Sequence, residues 1–301
     1  MKIVIATCVY EAARPYLRAF MDGARAASQG HEAALVAVLD GLADPESSLA
    51  PLAGIMPVRL VPSEAGGSDE ASRLSAVRAA MLKAADASDA DAVVFCDADD
   101  VLTPPALALH EAALSRADIS VGDLQPIDDR GQRFAAPMLG AALPDVISPA
   151  TLAETNVCGF SNTAVRRGTL RSVTQQPMPP VIAADWWTFA ALLDAGYSAC
   201  RADGVVAFYR QHAGNILGAG GASDIAGARR RLRIVADHHR ARGELERANV
   251  AERLAADPDR LADFIRRMPS PASGPWHADA AAWCRLAMND EVLPQRTGQV
   301  P

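Results

Sequence analysis

The sequence predicts an α/β protein in which a mostly parallel sheet is flanked by helices and followed by a helical C-terminal extension. Over about the first hundred residues, apolar segments of strand length alternate with segments of helical periodicity. Consecutive parallel strands need a crossover between them, so this alternation indicates a parallel sheet with right-handed connections. From about residue 223 the composition changes, and residues 227–268 become helical in pattern and rich in arginine.

Hydrophobic periodicity and turn residues place the individual elements. The predicted strands are 2–6, 33–39, 58–61, 92–96, 118–122 and 204–210. The predicted helices are 14–28, 70–87, 105–115, a short one beginning at 148–149, 185–195 and 227–268. Turn-forming residues are dense at 40–45, which ends the second strand, and at 128–131, which predicts a hairpin tip. Residues 178–180 predict a loop near the site, and residues 269–275 predict a linker.

The most informative stretch is the buried strand at 92–96, which ends in the carboxylates Asp97, Asp99 and Asp100. Open α/β sheets bind their ligands at the carboxyl ends of the strands. Carboxylates packed this closely repel one another unless they share a cation. Oxygen ligands at such a place suit Mg²⁺ or Mn²⁺ holding a substrate phosphate. The residues alone leave an alternative open, a solvated acidic turn that caps the next helix.

Bulk properties exclude several classes of function. A net charge of -7 over 301 residues argues against nucleic-acid binding as the main role. The five cysteines are scattered and never form a C-x-x-C pair, which favours a reducing compartment over a disulfide framework or a zinc site. No apolar run approaches the roughly 20 residues of a membrane span, and the N-terminus leads directly into a predicted strand. These observations predict a soluble cytoplasmic protein.

Six short motifs follow one another along the chain: Asp40-Gly41-Leu42-Ala43-Asp44, the stretch from Gly67 to Val77 that contains Arg73, Asp97-Ala98-Asp99-Asp100, Gly122-Asp123 with 127–131, Ala184-Asp185-Trp186-Trp187, and Tyr209-Arg210-Gln211-His212 with Asn215. In this order they resemble the motifs of the family 2 glycosyltransferases, which are inverting, nucleotide-sugar-dependent enzymes, and the third is similar to that family's DXD metal motif. The resemblance implies the Rossmann-like GT-A fold over residues 1–218. It divides the chain into a nucleotide-binding half at about 1–103, an acceptor half at about 104–218, and a helical extension and tail at 219–301.

The resemblance also implies roles for single residues. Asp99 is the expected main metal ligand, with Asp97 beside it and His212 completing the site, for Mn²⁺ or Mg²⁺. Asp185 is the expected general base, with the N-cap of the following helix as its alternative role. The residues expected to bind the nucleotide-sugar donor are Thr7 through its backbone, Tyr10, Asp40, Arg73, Asp97, Ala98 and Arg210. Trp186 and Trp187 either stack on a sugar ring or belong to the core.

The sequence departs from the family pattern at three places. Ala184 replaces the acid that commonly precedes the base, which leaves one candidate base instead of two. Leu74 replaces an asparagine and Leu39 replaces the first of two aspartates. The last two departures concern the preference for the donor nucleotide more than the reaction.

The expected function is therefore metal-dependent, inverting transfer of a hexosyl group to a hydroxyl of a glycan, a lipid-linked acceptor or a small molecule. A UDP-sugar is favoured as donor over a GDP- or dTDP-sugar. Two alternatives stay open. Ala184 is compatible with a nucleotide-sugar-binding protein that has lost catalysis. A sugar-phosphate nucleotidyltransferase is the other, although residues 7–11 lack the glycine-rich basic loop expected of one.

The arginine cluster at 229–233 has two interpretations. It is compatible with contact to an anionic membrane surface, but a solvated helix face is the favoured reading. Leu232 and Val235 interleave with the arginines, and this pattern also permits a homodimer through the C-terminal helices.

Overall fold

The structure is a computed structural model and describes residues 1–63, 66, 69–140, 143–212, 215 and 225–267. Its strands are β1 (Lys2–Tyr10), β2 (Glu32–Asp40), β3 (Val58–Pro62), β4 (Ala92–Phe95), β5 (Val101–Leu102), β6 (Ile119–Ile127), β7 (Val146–Ile147), β8 (Thr163–Arg166) and β9 (Ala199–Arg210). Among the described residues these strands form one nine-stranded sheet in the order β3-β2-β1-β4-β8-β6-β9-β5, with β7 paired to β9. The predicted α/β fold class is confirmed.

The first four strands form the predicted parallel sheet. β1 pairs with β2 over its whole length, from Lys2 opposite Glu32 to Tyr10 opposite Asp40, and with β4 on its other side. β3 extends the sheet beyond β2 in the same direction. The carboxyl ends of β1, β2 and β4 therefore lie at one edge of the sheet. Tyr10 and Asp40 are the last residues of β1 and β2, and the acids follow β4 directly.

The second half of the sheet is mixed. The short strand β8 lies antiparallel between β4 and β6, while β6 and β9 run parallel to each other. β5 directly follows the acidic stretch and pairs antiparallel with β9. This pairing brings the end of β9 back to the carboxyl end of β4. The sequence did not predict β5, β7 or β8. β5 and β7 have two residues each, too few for a periodic pattern, and in the four residues of β8 only Ala164 and Val165 are apolar.

The helices are α1 (Leu17–Ala27), α2 (Pro45–Ala53), α3 (Glu70–Asp86), α4 (Ala106–Leu114), α5 (Pro149–Glu154), α6 (Arg171–Thr174), α7 (Ala184–Asp194), α8 (Ile225–Ala241), α9 (Leu245–Ala256) and α10 (Pro258–Arg267). A 3-10 helix, Glu11–Tyr16, occupies the start of the helix predicted at 14–28 and contains Pro15. Ser148 and Thr151 form a capping box at α5, as its predicted N-terminus requires. The predicted turn at 128–131 is present, and its Gly131 has a positive φ of 84°.

Two helical predictions differ from the structure. The turn residues after β2 extend only to Asp44, and α2 begins at the next residue with proline in its first turn. The single segment predicted at 227–268 is three helices. The first break contains Gly243, with a φ of 77°, and the second lies at Asp257, just before Pro258. The linker predicted at 269–275, the boundary at 218, and Gly67 in the resemblance lie outside the described residues.

The C-terminal helices dock on α7, the helix that carries the candidate base. The ring of His238 on α8 stacks on Trp186 with the centroids 4.0 Å apart. The Trp186 indole N–H donates to the Leu152 carbonyl at 2.6 Å, and both Trp186 and Trp187 are buried. Both tryptophans therefore belong to the core. No helix in the described part of the chain combines the length and the apolarity that crossing a membrane requires.

Burial of His238 predicts a loss of stability in acid. Burial lowers the pKa of His238 to about 2, with the charges of His239 and Arg242 acting in the same direction. Neither ring nitrogen has a hydrogen-bond partner among the described residues. Below the ordinary histidine pKa of about 6.5, His238 binds a proton in the unfolded chain but not in the folded protein. The unfolding free energy therefore falls by about 1.4 kcal/mol for each unit by which the pH is lowered.

His238→Phe keeps the stacking on Trp186 but cannot titrate. Urea unfolding of the wild type and this variant between pH 8 and pH 4.5 is expected to give curves that diverge below pH 6.5. Below pH 6.5, the slope of the unfolding free energy against pH should be smaller in the variant than in the wild type by about 1.4 kcal/mol per pH unit. Parallel curves over the whole range would show that the pKa of His238 is the same in the folded and the unfolded chain.

Candidate active site

A cleft of about 530 Å³ opens at the carboxyl ends of β1, β2 and β4. Its walls come from the ends of these strands, from α3 and from the start of α7. The charged and polar residues that line it are Tyr10, Glu11, Asp40, Glu70, Arg73, Arg78, Asp97, Asp99, Asp185, Tyr209 and Asn215. The apolar part of the lining includes Leu74, Val77, Phe160 and Ile182. The fold thus gathers most of the predicted site residues in one cleft.

Asp97 forms an ion pair with Arg78 at the bottom of the cleft. The Arg78 Nη1 donates to Asp97 Oδ1 at 2.6 Å, and the Asp97 backbone N–H donates to the Ser161 hydroxyl at 3.1 Å. Burial raises the pKa of Asp97, although the charge of Arg78 opposes this. Sequence reasoning missed Arg78. The only available signal was a second arginine five residues after Arg73 on the predicted helix.

Asp99 accepts two hydrogen bonds at the same oxygen. The Tyr10 hydroxyl donates to Asp99 Oδ2 at 2.8 Å, and the His212 Nε2 lies 3.0 Å from that oxygen. Burial alone would raise the pKa of Asp99, but the hydrogen bonds from His212 and Tyr10 outweigh burial and place the pKa below its usual value. Asp99 therefore stays a charged carboxylate although it is buried, with only 8% of its surface exposed.

Asp99 and His212 provide an oxygen and a nitrogen side by side, a donor set that suits Mn²⁺. The predicted three-ligand set is not assembled, because Asp97 pairs with Arg78 instead. In the part of the chain that the structure describes, no group of three or more His, Cys, Asp or Glu side chains is arranged to hold a metal ion. A cation here would have to complete its coordination with phosphate oxygens and water, as Mg²⁺ commonly does. With that completion, the donors present fit a divalent cation.

Asp100 points away from the cleft. Its Oδ1 accepts the backbone N–H of Arg210 at 2.7 Å, and its other oxygen accepts the Ser161 hydroxyl. It is 1% exposed, and burial raises its pKa well above the usual range. The following helix α4 has Pro105 at its N-cap, so Asp100 does not cap it. Asp100 therefore links the segment after β4 to the segment before β8 and to the end of β9.

Asp185 lies in the first turn of α7 and faces the cleft. Its carboxylate accepts the backbone N–H of Trp186 at 2.7 Å and a side-chain hydrogen bond from Asn156. Burial is the largest influence and raises its pKa, while these hydrogen bonds oppose the change. The N-cap position belongs to Ala183, so Asp185 is not the cap. A carboxylate with a raised pKa is a better proton acceptor than an exposed one.

Asp40 and Arg73 meet at another wall of the cleft. Arg73 Nη1 donates to Asp40 Oδ2, and the Arg73 side chain is 44% exposed. Asp40 is anchored at the end of β2, and Arg73 lies in the first turns of α3. The pair joins two residues that the resemblance associates with the nucleotide-sugar donor.

Other predicted site residues lie elsewhere. The Arg210 guanidinium, expected to hold a diphosphate, donates to the carbonyls of Asp99, Asp128 and Asp129. It also lies over the Tyr16 ring, 4.8 Å from its centroid, and is not part of the cleft lining. Thr7 and Ala98 are fully buried, at 0% exposure, and do not line the cleft either.

The segment after Gly122 also has a structural explanation. The Asp123 carboxylate accepts the backbone N–H groups of Leu139 at 2.8 Å and Gly140 at 2.8 Å. It thereby fixes the loop that returns from β6. A Cβ at position 122 would lie 2.3 Å from the Val206 side chain, so close packing against β9 requires glycine there.

The fold and the cleft define the class of protein as an α/β protein with an acidic cleft at the carboxyl ends of its parallel strands. Searches of protein-family models and of curated proteins find no match. Solved structures do match. One is Staphylococcus aureus (S. aureus) TarS 1-349 in complex with UDP-GlcNAc, with a TM-score of 0.54 and 14% identity, covering 98% of this chain and 82% of that one.

Another is the mannosyltransferase PcManGT from Pyrobaculum calidifontis in complex with GDP-Man and Mn²⁺. It matches with a TM-score of 0.54 and 17% identity, covering 98% of this chain and 88% of that one. At these identities the comparison establishes the fold, and the chain shares the fold of these two proteins. The predicted GT-A-like architecture is confirmed.

Proposed function

We propose that the protein is a glycosyltransferase that moves a sugar from a nucleotide-sugar donor to an acceptor hydroxyl with inversion at the anomeric carbon. The observation that carries this proposal is a single cleft that brings Asp185 together with the acids after β4. This cleft belongs to a fold shared with proteins that were solved with UDP-GlcNAc and with GDP-Man. The proposal includes membership of family 2 and transfer of a hexosyl group.

We assign the donor to the end of the cleft formed by β1, β2 and β4. The paired Asp40 and Arg73 offer both hydrogen-bond acceptors and donors to a nucleobase edge, and Tyr10 offers an aromatic face. Asp99 and His212 would hold the divalent cation, Mn²⁺ or Mg²⁺. That cation, when bound, offsets the negative charge of the departing nucleoside diphosphate. A UDP-sugar is the favoured donor.

We assign the proton transfer to Asp185. Its carboxylate takes the proton of the acceptor hydroxyl as the acceptor oxygen bonds to the anomeric carbon. The bond between that carbon and the phosphate oxygen breaks at the same time, and the nucleoside diphosphate leaves on the opposite face. One carboxylate base and no covalent intermediate give inversion. The acceptor is a glycan, a lipid-linked molecule or a small molecule, and the scattered cysteines favour a cytoplasmic location.

Nucleotide binding is the first property to test. UDP, GDP, dTDP and CMP are compared by thermal shift, each with Mn²⁺ and again with EDTA. A ligand at 100 times its Kd stabilises the folded state by about 2.7 kcal/mol, which raises the Tm of a chain of this size by about 4 °C. We expect one nucleotide to give this shift with Mn²⁺ and a smaller shift with EDTA. No shift with any nucleotide in either buffer would contradict the proposed function.

A further inference from the structure

Arg78 is a cation paired with one carboxylate of the cleft, and the proposed function does not yet assign it a role. It lies on α3, pairs with Asp97 at 2.6 Å, and its charge also acts on Asp185. The Arg78 side chain is 19% exposed and lines the cleft. Burial by itself would lower the pKa of Arg78, but the Asp97 carboxylate outweighs burial and raises it. The guanidinium is therefore permanently charged.

Arg78 still has N–H donors to offer. A guanidinium carries five of them; in Arg78 one Nη1 donor goes to Asp97, and a further side-chain hydrogen bond joins Arg78 to the Cys8 thiol. The guanidinium carbon lies over the Phe160 ring, 5.0 Å from its centroid, so one side of the fork is covered by that ring. A planar fork with unused donors suits the oxygens of a phosphate, because it can form two parallel bonds.

The other arginines near the cleft are engaged differently. Arg73 pairs with Asp40 and is more exposed, and Arg210 is bound to backbone carbonyls. Arg78 offsets the acids only in part, because Asp97 and Asp99 are both carboxylates in the same part of the cleft. A ligand that brings negative charge beside these acids therefore needs a positive group there, and Arg78 is fixed in that position.

We propose that Arg78 binds the diphosphate of the nucleotide-sugar donor and supplies a positive charge that stays in the cleft when the metal is removed. This inference rests on the proposed function and adds a phosphate-binding residue to it. Its consequence is that nucleotide affinity depends only in part on metal. The rival role for Arg78 is to orient Asp97, in which case Arg78 affects nucleotide binding only through the metal.

The test compares Kd values by calorimetry for the nucleoside diphosphate that stabilises the protein and for the matching nucleoside, in Mn²⁺ and in EDTA. Arg78→Met is expected to weaken diphosphate binding by about 10- to 100-fold in both buffers, since charged hydrogen bonds are lost. Affinity for the nucleoside, which has no phosphate, should stay the same. Arg78→Lys keeps the charge without the fork and should fall between the wild type and Arg78→Met.

Two further variants keep the result interpretable. Arg78→Met leaves the Asp97 carboxylate without its partner, so the double variant Arg78→Met/Asp97→Asn removes that charge as well and is measured in EDTA. It should show the same loss of diphosphate affinity. Arg18→Met is the matched control, because Arg18 forms an exposed ion pair with Asp22 at 3.0 Å on α1. This control should bind both ligands as the wild type does.

The opposing outcomes separate the two proposals. A loss that appears in Mn²⁺ and vanishes in EDTA would show that Arg78 acts through Asp97 and the metal, and would overturn the inference. An equal loss for nucleoside and diphosphate, or no wild-type binding of diphosphate in EDTA, would overturn it as well. A wild type that binds no nucleotide even with Mn²⁺ would reject the proposed function, and the inference with it.

Discussion

Replacing Asp185 by asparagine is expected to reduce the rate of sugar transfer by about 10²- to 10⁴-fold, the range that a general base contributes. Asparagine has nearly the same shape, and its oxygen can still accept the backbone N–H of Trp186. It cannot take the proton of an acceptor hydroxyl. The Kd for nucleotide and the Tm are therefore expected to change little. The rate of transfer is measured as the release of nucleoside diphosphate from the donor that the thermal-shift panel identifies.

Asp194→Asn is a matched control for this experiment. Asp194 is the last residue of the same helix, is exposed, and pairs with Arg242 at 2.8 Å. The control should transfer sugar at the wild-type rate. Full activity in Asp185→Asn would show that another group is the base. A wild type that binds nucleotide but transfers nothing to any acceptor would favour the non-catalytic alternative that Ala184 keeps open.

Asp99→Ala and Asp100→Ala are expected to change different properties, although the two residues are adjacent: Asp100→Ala the stability, and Asp99→Ala the response to Mn²⁺. Asp100→Ala leaves the buried Arg210 N–H and the Ser161 hydroxyl without their acceptor, which should lower the unfolding free energy by about 2 to 5 kcal/mol. Asp99→Ala should cost less stability, because Asp99 faces the cleft and water can replace it. It should instead abolish the additional thermal shift that Mn²⁺ gives to the nucleotide.

Urea unfolding and the thermal-shift assay measure these two effects separately. Asp100→Asn is an informative companion, since it keeps one acceptor oxygen and should recover part of the stability that alanine loses. If Asp99→Ala kept a full Mn²⁺-dependent shift, the cation would have to bind elsewhere. If Asp100→Ala were as stable as the wild type, the buried hydrogen bonds of Asp100 would contribute nothing to the fold.

The sequence predicted the parallel half of the sheet well, because long apolar strands and amphipathic helices have strong periodic patterns. It also placed the acids at the end of a strand. It associated Asp99 with His212, whose side chains lie 3.0 Å apart. It could not show that Asp97 pairs with Arg78 or that Asp100 accepts a hydrogen bond from Ser161, since these partners come from distant parts of the chain. The direction in which each carboxylate points depends on tertiary contacts, which a local sequence pattern does not contain.

Arg210 illustrates the same limit. A motif places it near the site, but its guanidinium is held by a turn at 128–129 and by the Tyr16 ring, two segments far from it in the sequence. The cation that does line the cleft, Arg78, belongs to a helix with arginines at 73 and 78. Periodicity alone did not show which of these two would face the acids.

The position of β8 has a consequence for the order in which the chain can acquire its structure. β4 carries the acids, and one of its edges is covered by β1 as soon as residues 1–95 are available. Its other edge has no partner until β8 has been synthesised. An uncovered strand edge pairs readily with other chains. On the ribosome, the central strand therefore remains vulnerable to aggregation while the chain from 96 to 162 is added, and the end of the cleft that contains Asp99 is completed only when β9 has emerged.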